Sequence, residues 1–493
     1  MRQLGDEAIL LEVEGGSEAS LALARTLRAR EVIPAATTVG VVGPYEILPT
    51  PPAARERRHH LVPVALDGAD VESVGLLPEE LGQLIEGCEL RVAYLGFMPG
   101  FAYLEGLPPP LASLGRLPSP RPRVPPGSLA VAGGYAGIYP SASPGGWHLL
   151  GHTDLLLFEQ DKAPYALFQP GDLVRFRLVD ELASPAAPTR APLTGNALEV
   201  VEPGPLLLVE DLGRKNAGAL GVPRAGAFNS CWARILNLAV GNLESDALLE
   251  CAGPVRLRAR RDLLVAAGGA ELFVAGTNRP PGTVTSVAAG QEIRTAAPRS
   301  GRSYLAVAGG IGGPESFESR SCDAVSGLSP GPLRGGDALP LAKRSGRPRL
   351  RFELPEPSQA KLRVIEGPDA GPLEAILAEW RLESSNDRTG LRLGGRPPIE
   401  GGGSVASHAV VPGAIQLPPG GSPIILGPDC GPIGGYPVLA TVITADMWRL
   451  STLLPGAGLS FEPVSVEEAE RARRELSRLV EGSVAGWFPT AVA

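Results

Sequence analysis

Lysine, methionine and cysteine are scarce in this chain. Among 493 residues the only lysines are Lys162, Lys215, Lys343 and Lys361, so nearly all positive charge is arginine. None of them follows a glycine, which excludes a phosphate-binding loop of the Walker type. Methionine occurs only as Met1, Met98 and Met447, never before lysine, so the usual biotin-attachment dipeptide is missing and no covalent biotin is expected. The five cysteines (Cys88, Cys231, Cys251, Cys322 and Cys430) are scattered, odd in number and free of any Cys-x-x-Cys pair. That argues against a disulfide framework or a zinc knuckle. No apolar run is long enough to span a bilayer, and residues 1–12 are acidic and alternating, unlike a signal peptide. A soluble, cytoplasmic protein is expected. With a net charge of −8 there is no basic footprint for nucleic acid.

Glycine (63) and proline (51) are abundant, while 44% apolar content still supplies real cores. Short Val/Leu-rich runs between such punctuation predict mainly β structure, as barrels or sandwiches, in several domains. Residues 1–60 read as a small α/β module, with a strand at 6–13, a helix over 17–30 with Ser17 as N-cap, and a strand at 39–48. Residues 61–190 form the next unit, with a helix over 78–86 and short strands ending in the turn Gln169-Pro170-Gly171-Asp172 that feeds a strand through Phe176. Weaker copies of that closing pattern, at 334–339 and 454–461, predict two further β modules, 195–345 and 346–493. The Ala-, Pro- and Ser-rich stretch 183–192 reads as a linker and 347–357 as a hinge. Residues 466–480 predict a polar helix with a solvated face.

The densest pattern lies between Tyr94 and Thr153. It contains Tyr94-Leu95-Gly96-Phe97-Met98-Pro99-Gly100-Phe101-Ala102-Tyr103-Leu104, then Arg121-Pro122-Arg123-Val124, Gly137-Ile138-Tyr139-Pro140, and Ser143-Pro144-Gly145-Gly146-Trp147-His148-Leu149-Leu150-Gly151-His152-Thr153. Glycine and proline set unusual backbone, and aromatic rings supply flat apolar walls. Guanidinium forks hold anions. The combination predicts rigid loops around a small polar ligand, with Phe97, Pro99, Gly100, Arg121, Arg123, Tyr139, Trp147, His148 and His152 as binding candidates. Each glycine or proline taken singly is equally a plain turn residue. His148 and His152 are four apart but have no third nearby ligand, so no metal site is expected.

These motifs resemble the family of 5-oxoprolinase B subunits, also called KipI or allophanate hydrolase subunit 1, across most of residues 1–190. Later stretches resemble its partner family, the 5-oxoprolinase C subunits (KipA, or allophanate hydrolase subunit 2). They are Glu210-Asp211-Leu212-Gly213-Arg214, Gly221 to Asn229, Ser384 to Leu393 with Asp387-Arg388, Pro412 to Pro418 with Gln416, and Asp429 with Gly434-Gly435-Tyr436-Pro437. The chain thus looks like a fusion of the two subunits, similar also to the carboxyltransferase part of urea carboxylase. The resemblance implies cyclophilin-like β-barrels. Asp211 and Arg214 offer a fixed acid and a fork donor, or equally an internal ion pair pinning a loop. They are candidate catalytic residues together with Asp387 and Arg388, while Gln416, Asp429 and Tyr436 are candidates around the cleft. Departures from the pattern are Asn229 for Asp, Cys322 for Thr, Cys430-Gly431-Pro432 for Arg-Gln-Thr, His152 for Arg, and a missing histidine near Ile85.

The resemblance implies a component of an ATP-dependent 5-oxoprolinase, which opens the lactam of 5-oxoproline to glutamate. It implies the separate 5-oxoprolinase A subunit for a partner and ATP for a cofactor. Alternatives are a binding protein of the histidine-kinase-inhibitor type and a carboxyltransferase-like urea or allophanate enzyme component served by another protein's biotin. No amidase-signature nucleophile is present. Residues 327–331 match Gly-x-Ser-x-Gly only formally and read as a turn.

Overall fold

Residues 2–47 build a four-stranded antiparallel sheet in the order Arg2–Leu4, Ala8–Glu12, Thr38–Ile47, Leu27–Pro34, with the helix Gly16–Arg25 beside it. The computed structural model describes residues 1–49, 55–183, 192–326, 328, 330–342, 346–349, 351–356, 361–369 and 371–485. The helix is shorter than its spacing predicts. From Leu27 onward the chain pairs with Thr38–Ile47 and buries Leu27 and Ile33, so sheet packing overrides helical periodicity. Ser17 does not cap this helix, whose N-cap is Gly15. It lies buried inside the first turn, where its hydroxyl donates to Glu105 Oε2 (2.9 Å) and accepts from Arg91 Nη2 (2.9 Å), tying the helix to the next unit.

That unit is a seven-stranded sheet in the order His148–His152, Ser128–Ala132, Tyr135–Ile138, Ala102–Glu105, Glu89–Leu95, Leu173–Leu178, His59–Val64. The helix Pro78–Gly87 seals its core through Leu81 and Ile85. Residues 198–339 form two facing sheets of six and five strands around one apolar core. Residues 361–463 form a closed seven-stranded barrel. The fold is therefore mainly β, with one closed barrel beside open, facing sheets.

The three closing patterns share one structural role. Leu173–Leu178 pairs in parallel with His59–Val64, and Ala338–Leu339 pairs antiparallel with Leu198–Glu202. Gly458–Pro463 pairs in parallel with Lys361–Glu366. In each case a unit's last strand lies against its first. The aspartates before the first two closures fix the turns: Asp172 accepts from the backbone of Gln169 (3.0 Å) and Arg58 (3.1 Å), and Asp337 from that of Arg334 (2.7 Å) and Leu193 (2.9 Å).

Positions 184–191 of the expected linker lie outside the described residues, as do Gly327 and Ser329 of the formal Gly-x-Ser-x-Gly match. The expected hinge is packed where it is described: Phe352 is buried, and the Arg349 and Glu353 amides bond the carbonyls of Ala239 and Ser483. The terminal helix Val466–Ala485 is also more than a solvated face, because Ala469, Ala472, Val480 and Val484 are buried, Val480 and Val484 in one core with the helix Ser230–Ala239. Among the described residues no helix is long and apolar enough to cross a membrane.

Candidate functional site

Three units meet at the turn Gly96–Phe101. After the strand Glu89–Leu95 the chain folds back on itself, with the Gly96 amide bonded to the Phe101 carbonyl (3.1 Å) and the Phe101 amide to the Met98 carbonyl (3.0 Å). Phe97 takes the left-handed conformation (φ 63°), costly for a bulky residue and maintained only by its surroundings. Those surroundings come from elsewhere in the chain. The Gly100 amide bonds the Leu220 carbonyl (2.9 Å). A Cβ at Gly221 would stand 2.3 Å from the Met98 carbonyl oxygen, and one at Gly431 would stand 2.5 Å from that of Phe97. Only glycine admits such backbone approach. Behind the turn, one core cluster holds Ile33, Tyr94, Phe101, Trp147, Ala409 and Ile433, drawn from the first unit, the second and the barrel.

This turn borders a cavity of about 90 Å³ walled by the rings of Phe97, Phe101, Tyr103, Tyr139 and Trp147. The rings meet edge to face, Phe101 lying 5.3 Å from Tyr139 and 5.4 Å from both Phe97 and Trp147. That geometry sets positive ring edges against negative faces and makes the wall stiff. Gly145 and Gly146 complete it. A Cβ on Gly145 would stand 2.4 Å from the Tyr139 hydroxyl, so that hydroxyl borders the cavity. Burial pushes the Tyr139 hydroxyl up to about 12 and raises that of Tyr103, with the positive charge of Arg116 offsetting part of each shift. Both phenols stay protonated and can donate a hydrogen bond. Arg116 is the remaining lining residue, its guanidinium carbon 5.8 Å from the centre of the Tyr436 ring in the barrel.

The expected binding residues divide around this cavity. Phe97, Tyr139 and Trp147 line it, and Pro99 and Gly100 form the turn beside it. Tyr436 reaches it through Arg116, and Gln416 stands behind, its Nε2 3.4 Å from the Tyr436 carbonyl. Arg121 is engaged elsewhere: it pairs with buried Asp70 (2.6 Å) and bonds the Trp147 carbonyl (3.3 Å), joining the strand Arg121–Val124 to the cavity wall. Arg123 is exposed on the same strand and is not among the lining residues. His148 is half-buried, with an unpartnered Nδ1. His152 lies between Asp67 (2.8 Å) and the Leu182 carbonyl (3.2 Å). Burial lowers its pKa, but the bonds to Asp67 and the Leu182 carbonyl together with the charges of Asp67 and Asp154 outweigh this, and the net shift is upward.

The expected catalytic residues gather at a second place, between the facing sheets and the barrel. Arg388 is 2% exposed and makes a fork with Asp429, bonds Glu250 Oε1 (2.7 Å) and the Gly226 carbonyl (2.7 Å), and lies 3.3 Å from Glu210. Glu250 is further held by Arg302 (3.1 Å), the Tyr304 hydroxyl and the Phe228 amide (2.9 Å each). Burial raises the pKa of Glu250, but Arg388 and Arg302 outweigh it and keep it ionised. At Glu210 burial wins over Arg388 and the carboxyl is held well above its ordinary range. Asp211 and Arg214 both grip one neighbouring segment. Asp211 accepts from the Ser319 and Ser321 hydroxyls (2.7 and 2.6 Å) and the Arg320 amide (2.7 Å), and Arg214 Nη2 donates to the Ser321 carbonyl. No ion pair joins the two to each other. Asp387 is exposed and shapes the turn before the strand Gly390–Gly394, accepting from the Thr389 and Gly390 amides (2.7 and 3.0 Å). Arg388 and Asp429 thus share a buried network with Glu250 and Glu210, Asp211 and Arg214 hold the segment 319–321 nearby, and Asp387 stands outside both.

Sequence reasoning passed over Arg116, which belongs to no motif, Glu250, and Glu210, although Glu210 opens the stretch Glu210-Asp211-Leu212-Gly213-Arg214. Asn229, in place of an aspartate, caps the helix Ser230–Ala239 by accepting from the Trp232 amide (2.9 Å). Nucleotide pockets hold several hundred Å³ and multiple phosphate donors. A cavity of about 90 Å³ with one guanidinium does not fit ATP.

The family described as carboxyltransferase domain, subdomain C and D, matches residues 1–168, and subdomain A and B matches 220–463. The 5-oxoprolinase C subunit of Escherichia coli K12 is 32% identical over 302 residues, covering 58% of this chain and 96% of that protein. The 5-oxoprolinase B subunit of Bacillus subtilis 168 is 42% identical over 118 residues, covering 23% of this chain and 49% of that protein. The crystal structure of TTHA0988 superposes with a TM-score of 0.81 at 34% identity, covering 92% of this chain and 99% of its own.

Proposed function

Because the chain belongs to the family of 5-oxoprolinase B and C subunits, with both in one polypeptide, we propose that it serves an ATP-dependent 5-oxoprolinase completed by a separate A subunit. The observation that carries this reading is the aromatic cavity at Phe97, walled by the B-like half and joined to the C-like half through Arg116 and Tyr436. A five-membered lactam is a flat, small ring with one strong acceptor. Stacked and edge-on rings bind its faces, and the protonated hydroxyls of Tyr103 and Tyr139 can donate to its carbonyl oxygen. Such donors polarise the amide and hold it away from bulk water. ATP supplies the driving force for opening a resonance-stabilised lactam. In this reading the phosphate chemistry takes place outside the aromatic cavity, with the A subunit taking part.

The test is reconstitution. The chain mixed with its cognate A subunit is expected to release glutamate and ADP when given 5-oxoproline and ATP, and to do neither alone. Turnover of urea in place of 5-oxoproline, or no turnover of either by folded protein, rejects this reading.

A further inference from the structure

The cavity carries one formal charge on its lining, that of Arg116, and this charge lacks an anion. Among the described residues no carboxylate lies within ion-pair reach of Arg116, whereas Arg121, which bonds the Trp147 carbonyl in the cavity wall, is paired with Asp70. Arg116 is exposed, yet its direction is set. Its guanidinium lies over the Tyr436 ring, and a Cβ on Gly435 would come 3.4 Å from Nη2, so the barrel leaves a slot for it. A guanidinium held over an aromatic ring by its charge keeps its N–H groups for a planar anion, and the matching group is a carboxylate bound through two parallel hydrogen bonds.

We propose that Arg116 is the carboxylate anchor of the aromatic cavity, with Tyr436 as its positioning residue, and that the site takes small ring amides bearing a carboxylate in preference to neutral ones. This rests on the lactam reading above and adds to it a specificity-determining residue supplied by one half and oriented by the other. The rings recognise the lactam, the guanidinium recognises the acid, and a neutral lactam of the same size leaves the charge without a partner.

The experiment compares 5-oxoproline with 2-pyrrolidinone, the same ring without its carboxylate, by calorimetric or NMR titration of the full chain, alone and with the A subunit. In the wild type 5-oxoproline is expected to bind at least tenfold more tightly than 2-pyrrolidinone, with an affinity that falls as salt rises. Arg116→Gln is expected to remove that tenfold advantage and the salt dependence while leaving 2-pyrrolidinone binding unchanged, and Arg116→Lys to restore part of both. Tyr436→Leu is expected to weaken 5-oxoproline binding severalfold without affecting 2-pyrrolidinone. Unchanged 5-oxoproline binding by Arg116→Gln overturns the anchor while the lactam pocket stands. Equal loss of both ligands in Arg116→Gln also overturns it, because the residue then only supports the wall. If the wild type binds neither compound and shows no 5-oxoproline turnover in the reconstituted enzyme, the lactam reading falls and the anchor falls with it.

Discussion

Arg388 and Asp429 face each other in a two-point fork, Nε to Oδ2 at 2.9 Å and Nη2 to Oδ1 at 2.7 Å, with the arginine 2% exposed. The fork joins two loops of the barrel to each other, and Glu250 on the facing sheets takes the remaining Nη1. Removing one member leaves charges buried without partners. Arg388→Ala is expected to cost about 3–5 kcal/mol, the scale for breaking a buried ion pair, and to lower the urea midpoint before any kinetic effect can be read. From sequence alone, loss of this fork donor is expected to reduce turnover more than stability. Its burial adds a stability cost that the motif does not show. A midpoint unchanged from wild type would refute the structural role.

Asp323 gives the same network a dependence on pH. Burial, reinforced by the charge of Asp429, pushes its carboxyl up to about 7, against an ordinary 3.8. Its proton is held more tightly in the folded chain than in the unfolded one. The stability it contributes is therefore whole below about 3.8 and is lost as pH rises through about 7. Asp323→Asn removes the titration. Urea midpoints of wild type and variant at pH 5 and pH 8 are expected to show the wild type losing ground to the variant at pH 8. A constant difference between them would count against this account.

Gly431 offers a steric test of the three-way junction. A methyl there would stand 2.5 Å from the Phe97 carbonyl oxygen, backbone that cannot swing aside. Gly431→Ala is expected to cost about 1–3 kcal/mol by overpacking and to weaken ligand binding at the Phe97 cavity. Gly420→Ala, where a Cβ meets nothing within 4 Å, is the control and should leave both unchanged.

The two halves should also recognise each other without a peptide link. Glu7 reaches Arg224 (3.3 Å), the Glu31 carboxylate accepts from the Gly218 amide, and Gly100 bonds Leu220 across the junction. Residues 1–183 and 192–493, expressed as separate chains, are expected to elute together on size exclusion. Independent elution of two folded halves would contradict the junction.

Much of the fold was legible because its cues are local. The Gly-Asp turns at Asp172 and Asp337 mark closures, and Pro78 opens a helix. The stretch from Tyr94 to Thr153 supplies the whole lining of one cavity, because its strands and turns fold back on one another. What was not legible depends on distant partners. Ser17 carries a capping signal, yet Glu105 and Arg91 draw it into the helix. Asp211 and Arg388 sit in motifs, but their surroundings come from positions 319–321, 250, 226 and 429, which no spacing connects. Arg116 has no motif around it and acquires its setting only when Tyr436 arrives from a separate barrel.

In the three units that start at His59, Leu198 and Lys361 the last strand lies against the first. In the unit that starts at His59, that pairing joins strands more than a hundred residues apart in sequence, so its loop closes only once nearly the whole unit is available. Such a unit is expected to be slow to fold and intolerant of truncation at either end. The same adjacency makes it a self-contained cassette. Because the pairing is parallel, its entry at His59 and its exit at Leu178 stand at opposite ends of two adjacent strands, so a circular permutation needs a linker that runs the length of the pair, about 17 Å.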